Sequence, residues 1–320
     1  MIEKITIVPN DVLLFRESRP FFAGESHVAR SLFPLPQTIA GALRSFILVN
    51  GNFSEKAKKC AGYKKEEPEF EIVGVFPVIE REEVVATPIN VVKNNCKISV
   101  VKPGEFKDRL FLPHEGKPAG GFIPFDMLMK ILSEKIDNSI KPKKIPREKR
   151  IGIALDSTKT ALEGHLYTVE FLRMDAISVW IKDWCWEKRG GTFKVGGESR
   201  FASFYTEPLE LSFGSVEGKR LFLYFATPTI LGRDAVDSIL RKIEDVTNGR
   251  KPQLHLSVFG KPIPISGWDY AKNKPKGVKH AIPPGSLFFI GFDAPVALPK
   301  YLKLGALTKL GYGLTFVGVW

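Results

Sequence analysis

The sequence predicts an α+β protein in which one order of elements occurs twice. An apolar strand and an amphipathic helix near the N-terminus begin a first unit, and the same pair begins a second unit after residue 208. A chain of 320 residues is long enough for two domains of ordinary size, and its 44% hydrophobic content is normal for a globular core. We therefore expect two domains, residues 1–208 and 209–320.

The first unit opens with an alternating strand over residues 2–8 and an apolar piece at 12–15. A helix from about Gln37 to Val49 follows, because apolar residues recur there at helical spacing and Asn50-Gly51 ends the pattern. Downstream, the pattern indicates a charged surface insertion and then two strands, at residues 54–69, 70–79 and 84–92.

A long insertion is expected at about residues 93–150, which are poorly periodic apart from a short helix around Phe125 to Ile136. The insertion ends in KPKKIPREKR, where six of ten residues are basic. Such a run is typical of a solvated, mobile segment. In a basic chain it is also a candidate contact for a polyanion.

Two strand patterns, at residues 151–155 and 165–181, flank a polar stretch that contains Thr158, Lys159 and Thr160. The region of about residues 150–174 is therefore either a long hairpin arm or a disordered loop between neighbouring strands. Three tryptophans that follow are expected in the core or in an interface rather than stacked on bases: Trp180, Trp184 and Trp186.

The second unit repeats the order strand, helix, strand, strand and final strand. Its strand patterns are LELSF, RLFLYFATPTI, QLHLSVFG, PIPISGW and GSLFFIGF; its helix spans Arg233 to Val246, and a lysine-rich loop occupies residues 271–280. The chain closes with residues 304–320, in which glycines precede an apolar strand. Both units thus have a ferredoxin-like (RRM-like) order, with insertions in the first and a glycine-rich loop before the last strand.

This glycine-rich tail contains four glycines, with Lys303 and Lys309 beside them: Gly305, Gly311, Gly313 and Gly318. Glycine permits positive φ angles and has no Cβ, so another backbone can approach closely. A glycine loop flanked by lysines can hold a phosphate chain on its amides. The alternative interpretation is a tight hairpin that ends an ordinary sheet.

The charge of the chain favours a polyanionic partner. A net charge of +12 and a pI of about 9.5 suit nucleic acid or an acidic protein surface, although a basic surface without a specific role would give the same values. Three cysteines without a CxxC motif predict neither a disulfide framework nor a zinc site. The sequence also has no phosphate-loop motif, no paired carboxylates for two-metal chemistry and no apolar run of membrane-spanning length. We expect a reduced, cytoplasmic chain without a cofactor.

Arginines beside aromatic residues mark a candidate site for single-stranded RNA. Arg16 and Arg19 lie next to two phenylalanines, and arginine can pair with a phosphate and stack on a base. Their alternative is an ion pair with a nearby glutamate. Arg44 on the first helix lies beside Gly41, where a phosphate could approach, and its alternative is plain solvation. His27 is a candidate nucleotide contact or general base, but no acid and nucleophile accompany it.

Three stretches together resemble a known family: FRESRPFFAGESHVARSLFPLPQTIAGALR, RIGIALDSTKTALEGHLYTVEFLR and LGALTKLGYGLTFVG. In this order, and across both halves of the chain, they resemble the repeat-associated mysterious proteins (RAMPs) of CRISPR systems, and especially the third-subunit family of the type III-B Cmr effector complex. The resemblance implies two ferredoxin-like domains that bind CRISPR RNA without metal. It further implies a scaffold subunit that holds the 5′ tag of the guide, faces target RNA, and docks on the large polymerase-like subunit and the backbone RAMP subunits.

Carried over to this sequence, the resemblance implies a set of RNA contacts: Arg16, Arg19, His27, Arg44, Arg200, Lys309, Gly311 and Gly313. It also implies that Thr158, Lys159 and Thr160 belong to a β-hairpin thumb between guide and target bases. No catalytic or metal-binding residue is expected. A metal-independent endoribonuclease that processes CRISPR transcripts is the alternative function, because it would share the fold and the glycine loop. A protein adaptor with an acidic partner is a third.

Overall fold

The computed structural model describes residues 2–15, 28–29, 31–95, 97–106, 109–135, 140–210, 213–232, 234–269 and 273–320. These residues form a mixed structure of four helices and many strands, which confirms the predicted α+β class. None of the helices in the described ranges combines the length and the hydrophobicity that a membrane crossing requires.

The elements of the first half are, in chain order, β1 (Ile2–Pro9), β2 (Val28–Ala29), α1 (Pro36–Asn50), α2 (Glu55–Ala61), β3 (Glu71–Ile79), β4 (Glu82–Ala86), β5 (Val91–Asn94), β6 (Lys97–Val100), β7 (Gly104–Phe106), β8 (Arg109–Phe111), β9 (Lys117–Pro118), β10 (Phe122–Pro124), α3 (Phe125–Leu132), β11 (Arg147–Leu155), β12 (Ala161–Leu172), β13 (Ala176–Lys182), β14 (Gly190–Lys194) and β15 (Phe201–Pro208). Those of the second half are β16 (Ser215–Phe225), β17 (Thr229–Ile230), α4 (Ala235–Val246), β18 (Gln253–Val258), β19 (Ile263–Ile265), β20 (Trp268–Asp269), β21 (Lys274–Pro275), β22 (Lys279–Ile282), β23 (Leu287–Pro299), β24 (Tyr301–Lys303) and β25 (Leu314–Val319).

A seven-stranded sheet organises the first half, in the order β10-β4-β3-β13-β1-β15-β14. The first strand, β1, lies between β13 and β15 and is antiparallel to both, so that Ile5 is opposite Val179 on one side and Thr206 on the other. Because alternate residues of a strand share a face, Ile5 and Ile7 both enter the core, where each is 0% exposed. The strand predicted at residues 2–8 is therefore confirmed.

The first helix packs on this sheet through the apolar stripe that the sequence predicts. Ile39, Leu43 and Ile47 recur at helical spacing and are fully buried, and the helix bounds differ from the prediction by one residue at each end. The charged segment predicted as a surface insertion instead contains α2, which places Ala57 and Cys60 in the same core. Its small residues allow this close packing despite the charges on either side.

A disulfide joins Cys60 of α2 to Cys185, in the loop after β13, across a separation of 125 residues. This bond corrects the prediction of a fully reduced chain. The two half-cystines lie close together because α2 and the loop after β13 both pack against the first core, in which Trp184 and Trp186 are also buried. The prediction that the three tryptophans are core residues is confirmed.

A second sheet has the order β18-β23-β16-β25-β24. Its long strand β16 lies between β23 and β25 and is antiparallel to both. The helix α4 covers one face of this sheet through Ile239 and Ile243, which are buried with Leu221 and Val317. The predicted LELSF strand does not form in the described residues, since β16 begins only at Ser215.

The two sheets share an apolar cluster that unites the halves. Trp180 of β13 contacts Phe125 at the start of α3 and Phe316 of β25, with ring centroids 5.2 Å and 6.4 Å away. The insertion predicted at 93–150 contributes to this cluster through α3 and adds small β-ribbons, β6-β5-β9 and β7-β8. The basic run at its end, residues 141–150, is partly ordered in a strand, because β11 begins at Arg147.

Candidate nucleic-acid interface

A hairpin arm of two strands, β11 and β12, carries the residues predicted as a thumb. The two strands pair in antiparallel register from Arg147 opposite Leu172 to Leu155 opposite Ala161, so the hairpin interpretation is confirmed over that of a disordered loop. We call residues 147–172 the first arm. Gly152 leaves room for the Tyr167 ring on the opposite strand, because a Cβ at position 152 would lie 2.3 Å from that ring.

The tip of the first arm is a tight turn built on one carboxylate. Asp156 Oδ1 accepts hydrogen bonds from the amide of Thr158 at 2.8 Å, from the Thr158 hydroxyl at 2.6 Å and from the amide of Thr160 at 2.9 Å. Lys159 adopts a φ of 63° at the turn and is exposed, as are both threonines. These hydrogen bonds lower the pKa of Asp156, that with the Thr158 side chain most of all. The turn thus holds Lys159 at the outermost point of the arm.

The sides of the first arm expose branched aliphatic side chains. The exposed fractions are 74% for Ile151, 44% for Ile153, 54% for Leu155, 37% for Leu162 and 58% for Leu166. Ile153 and Leu166 are directly opposite each other, so they share one face of the arm. An exposed apolar face of this kind indicates a surface that contacts a partner.

The base of the first arm is a cluster of arginines around a buried ring. The Arg200 guanidinium lies 4.7 Å from the Phe171 ring centroid, and that of Arg150 lies 5.3 Å from it. Asp11 joins the two cations, at 2.8 Å from Arg150 Nη2 and 3.4 Å from Arg200 Nη1. A hydrogen bond from Arg150 lowers the pKa of this carboxyl. The cluster holds Arg200 against an aromatic face beside a shallow pocket.

Acidic residues at this base compensate much of its charge. Glu148 forms ion pairs with Arg150 and Arg173, and Arg147 pairs with Glu170. Arg147 and Arg150 belong to the run predicted as solvated and mobile, but the ladder of β11 gives both a fixed position. Sequence reasoning missed Arg173 and Phe171 as part of this group: both end the stretch RIGIALDSTKTALEGHLYTVEFLR that carries the family resemblance, but nothing in the sequence shows that they meet Arg200.

Arg16, Arg19 and His27 lie outside the described residues. The described ends of their segment are anchored at the base of the first arm. The Leu32 amide donates to Phe15 O at 2.9 Å, and β2 pairs with β12 in parallel register. The chain therefore leaves and re-enters the described structure beside the arginine cluster.

Arg44 has a structural position at the end of α2. Its Nε donates to the carbonyl of Ala61 at 2.7 Å, and its Nη2 donates to those of Gly62 and Lys65, both at 2.8 Å. A further hydrogen bond joins Nη1 to Glu66 O at 3.1 Å. Burial lowers the pKa of this guanidinium. Arg44 thus binds the last carbonyl of α2 and the carbonyls that follow it, which is a different role from the predicted phosphate contact or plain solvation.

The last part of the glycine-rich tail, residues 310–318, is packed inside the protein, whereas Gly305 is exposed. Gly311 and Gly313 are buried, with φ angles of 99° and 74°. The amide of Gly311 donates to Thr308 O at 3.1 Å and that of Gly313 to Pro228 O at 3.0 Å, so both are already hydrogen-bonded within the chain. A Cβ on Gly313 would lie 1.8 Å from Leu304 O. The backbone that approaches these glycines is the protein's own, which corrects the prediction that their amides are open to phosphate.

The two lysines of the tail differ in their surroundings. Lys303 Nζ donates to the carbonyls of Ile72, Val73 and Thr308 at 2.9, 2.7 and 2.8 Å, and so ties the tail to β3. Burial lowers the pKa of Lys303 to about 7. The Lys309 side chain is half-buried, and its carbonyl accepts from the Ile72 amide at 2.9 Å. The sequence marks both lysines as flanking cations and has no signal for this difference.

Comparison with known proteins identifies the family. The chain matches the family described as "CRISPR-associated protein (Cas_Cmr3)" over residues 5–320. A search of curated proteins found no match.

Two solved structures share the fold: type III-B Cmr-beta bound to cognate target RNA, and the same complex with AMPPnP in state 1. Their similar chains are each 23% identical to this one, with TM-scores of 0.53 and 0.54, and the alignments cover 89% of this chain and 86% of the other. The family match confirms the resemblance seen in the sequence: the chain belongs to the Cas_Cmr3 family of CRISPR-associated proteins.

Proposed function

We propose that this chain is a non-catalytic, RNA-binding scaffold subunit of a type III-B CRISPR effector complex. It holds the 5′ tag of the CRISPR RNA, faces target RNA, and docks on the large polymerase-like subunit beside the backbone RAMP subunits. The observation that carries the proposal is the family match over residues 5–320, combined with a hairpin arm that exposes its tip and its aliphatic sides. The similar Cmr-beta complexes were solved with target RNA bound.

The domain organisation that we propose is two ferredoxin-like units, residues 1–208 and 209–320. The strand order supports it, because β15-β1-β13-β3 in the first sheet corresponds to β25-β16-β23-β18 in the second. Along the chain, α1 comes after β1 in the first half, and α4 comes after β16 in the second. In the described residues, neither half has a helix between the third strand and the fourth; β14 and the glycine-rich tail occupy those places.

The RNA contacts that we propose lie around the first arm. Arg200 is held on the Phe171 ring and its side chain is 25% exposed, so its outer edge can meet a phosphate or a base. Arg16, Arg19 and His27 stay proposed contacts on the family resemblance, and the described ends of their segment lie at this base. Thr158, Lys159 and Thr160 form the outer contact, and Lys309 adds a cation from the tail. Arg44, Gly311 and Gly313 are left out, since their donors are used within the chain.

A binding experiment tests this proposal. The purified chain, alone and with its large partner subunit, is titrated into a guide RNA with its 5′ tag and into a scrambled RNA of equal length. We expect preference for the tagged guide and an affinity that falls steeply with salt, because each neutralised phosphate releases counterions. Equal affinity for both RNAs would contradict tag recognition. Cleavage of repeat RNA in EDTA that disappears in His27→Ala would instead favour the processing endoribonuclease.

A further inference from the structure

A second hairpin arm extends from the second half of the chain. At its base β19 pairs with β22, and farther out β20 pairs with β21. Hydrogen bonds join the two ladders, because the Lys276 amide donates to Gly267 O at 2.7 Å and the Ser266 hydroxyl donates to Lys276 O at 3.1 Å. We call residues 261–269 and 273–282 the second arm. The described part of the lysine-rich loop, residues 273–280, forms its returning strands.

Positive charge is concentrated in and beside the second arm. Residues 250–280 contain seven lysines and arginines and one acidic residue, Asp269, in a chain whose net charge is +12. Lys261, Lys276 and Lys279 are exposed, and no ion pair joins any of them to the side chains that the structure describes, among which that of Asp269 is not included. The arginines of the first arm, by contrast, face carboxylates at its base. The second arm therefore carries the less compensated positive field.

An exposed indole accompanies these lysines. Trp268 is 49% exposed and stands opposite Pro275 at the outer ladder, and Val278 beside the lysines is 63% exposed. Single-stranded RNA is bound by this combination, with ammonium groups on the phosphates and an aromatic face under a base. An acidic protein surface would also use the lysines, but the indole beside them offers a flat face on which a base can stack. The chemistry of the arm thus favours RNA.

The second arm is attached close to the base of the first. Gln37 Nε2 of α1 donates to Ser266 O at 2.5 Å, and Arg147 Nη1 of the first arm donates to Ser31 O at 3.0 Å. Ser31 and Gln37 are six residues apart, so even a fully extended chain puts their backbones within about 20 Å of each other. One RNA strand can therefore contact both arms.

We propose that the second arm is a further contact surface for single-stranded RNA, which binds the same strand that the first arm holds. This inference rests on the proposed RNA-binding function. Lys261, Lys276 and Lys279 neutralise phosphates, and Trp268 stacks on a base.

A salt titration of guide RNA binding by the complete chain tests the inference. The triple variant Lys261→Ala, Lys276→Ala, Lys279→Ala is expected to lower the slope of log K against log salt by about 2, since each lost phosphate contact removes ~0.7. The matched control Lys93→Ala, Lys97→Ala, Lys117→Ala removes equal charge from exposed positions on β5, β6 and β9 and is expected to keep the slope. Trp268→Ala should weaken binding roughly fivefold or more, and Trp268→Phe should retain most of it.

The outcomes separate this inference from the proposed function. Suppose that the unaltered chain prefers tagged guide RNA, but that both triple variants keep the salt slope of the unaltered chain or lower it equally. The second arm is then not an RNA contact, and the proposed function stands. If the arm variant binds RNA normally and loses the large subunit, the arm is a protein-docking surface and the inference is overturned. If the unaltered chain does not distinguish tagged from scrambled RNA, both proposals fail.

Discussion

The first arm and the glycine-rich tail have similar residue types in the sequence, but the structure places them in opposite surroundings. Each offers lysine and glycine beside apolar residues. In the first arm, Lys159 stands at an exposed turn and Ile151 is 74% exposed. In the tail, Gly313 is buried and Lys303 is bound to three carbonyls. The comparison teaches that glycine and lysine together indicate close backbone approach, and that only packing decides whether the approaching backbone is a ligand or the protein itself.

The largest expected effect follows from Gly313→Ala. The φ of 74° and the Leu304 carbonyl, 1.8 Å from the added Cβ, require the backbone to shift. We expect a loss of about 3 kcal/mol in the free energy of unfolding, measured by urea titration. Gly41→Ala on α1 is the control, because its Cβ would meet nothing within 4 Å and a helical alanine should stabilise the protein slightly. Equal stabilities would show that the tail is loosely packed.

Lys303 gives the next effect, which depends on pH. Burial lowers its pKa from 10.5 to about 7, so between these values the unfolded chain binds the additional proton. The free energy of unfolding should therefore rise as the pH increases from about 7 towards 10. Thermal unfolding across this range measures the rise, and Lys303→Met should flatten it. If the free energy of unfolding still rises with pH in the variant, other titrating groups cause the rise.

A smaller effect on stability, with a larger one on binding, is expected in the first arm. Ile151→Ser combined with Leu166→Ser alters side chains that are mainly exposed, so the free energy of unfolding should change by less than about 0.5 kcal/mol. Binding of target RNA by the assembled complex should weaken roughly tenfold if these side chains contact the duplex as apolar wedges. Val49→Ser, at a position 64% exposed on α1, is the control for lost apolar surface. An unchanged affinity for target RNA would show that these side chains of the first arm do not contact the RNA.

The smallest effect should come from Lys309→Ala. Its carbonyl supplies the hydrogen bond to Ile72, and this backbone contact survives the substitution. We expect the free energy of unfolding to change by less than about 0.5 kcal/mol and guide binding to fall less than in Arg200→Ala. Filter binding of tagged guide RNA compares the two variants. A larger loss from Lys309→Ala would move the RNA contact towards the tail.

The parts of the fold that follow from local periodicity were predictable. The bounds of α1 differ from the prediction by one residue at each end, because its apolar stripe and its Asn-Gly stop are local signals. The class α+β also follows from local strand patterns, whereas for the first arm these patterns leave a hairpin and a disordered loop as alternatives. The hydrogen bonds from Lys303 to the carbonyls of β3, by contrast, join residues more than 200 positions apart in the chain, so no local pattern predicts them.

The candidate site was less predictable because its members depend on tertiary contacts. The sequence predicts that Arg44 and the tail amides contact phosphate, yet in the structure they donate to intramolecular acceptors that no motif indicates. The Cys60–Cys185 bond spans 125 residues, and three cysteines without close spacing gave no signal for it. Arg200 was identified through the family resemblance, while its support on Phe171 became visible only in three dimensions.

Ultraviolet crosslinking of tagged guide and target RNA in the assembled complex, followed by peptide mapping, tests the central claim most directly. The claim is that the first arm contacts RNA and that residues 310–318 of the glycine-rich tail are internal structure. Crosslinks should map to peptides within residues 147–172 and to the segment around Arg16 and Arg19, with none in residues 310–320. Crosslinks confined to residues 310–320, with the first arm unlabelled, would contradict the account.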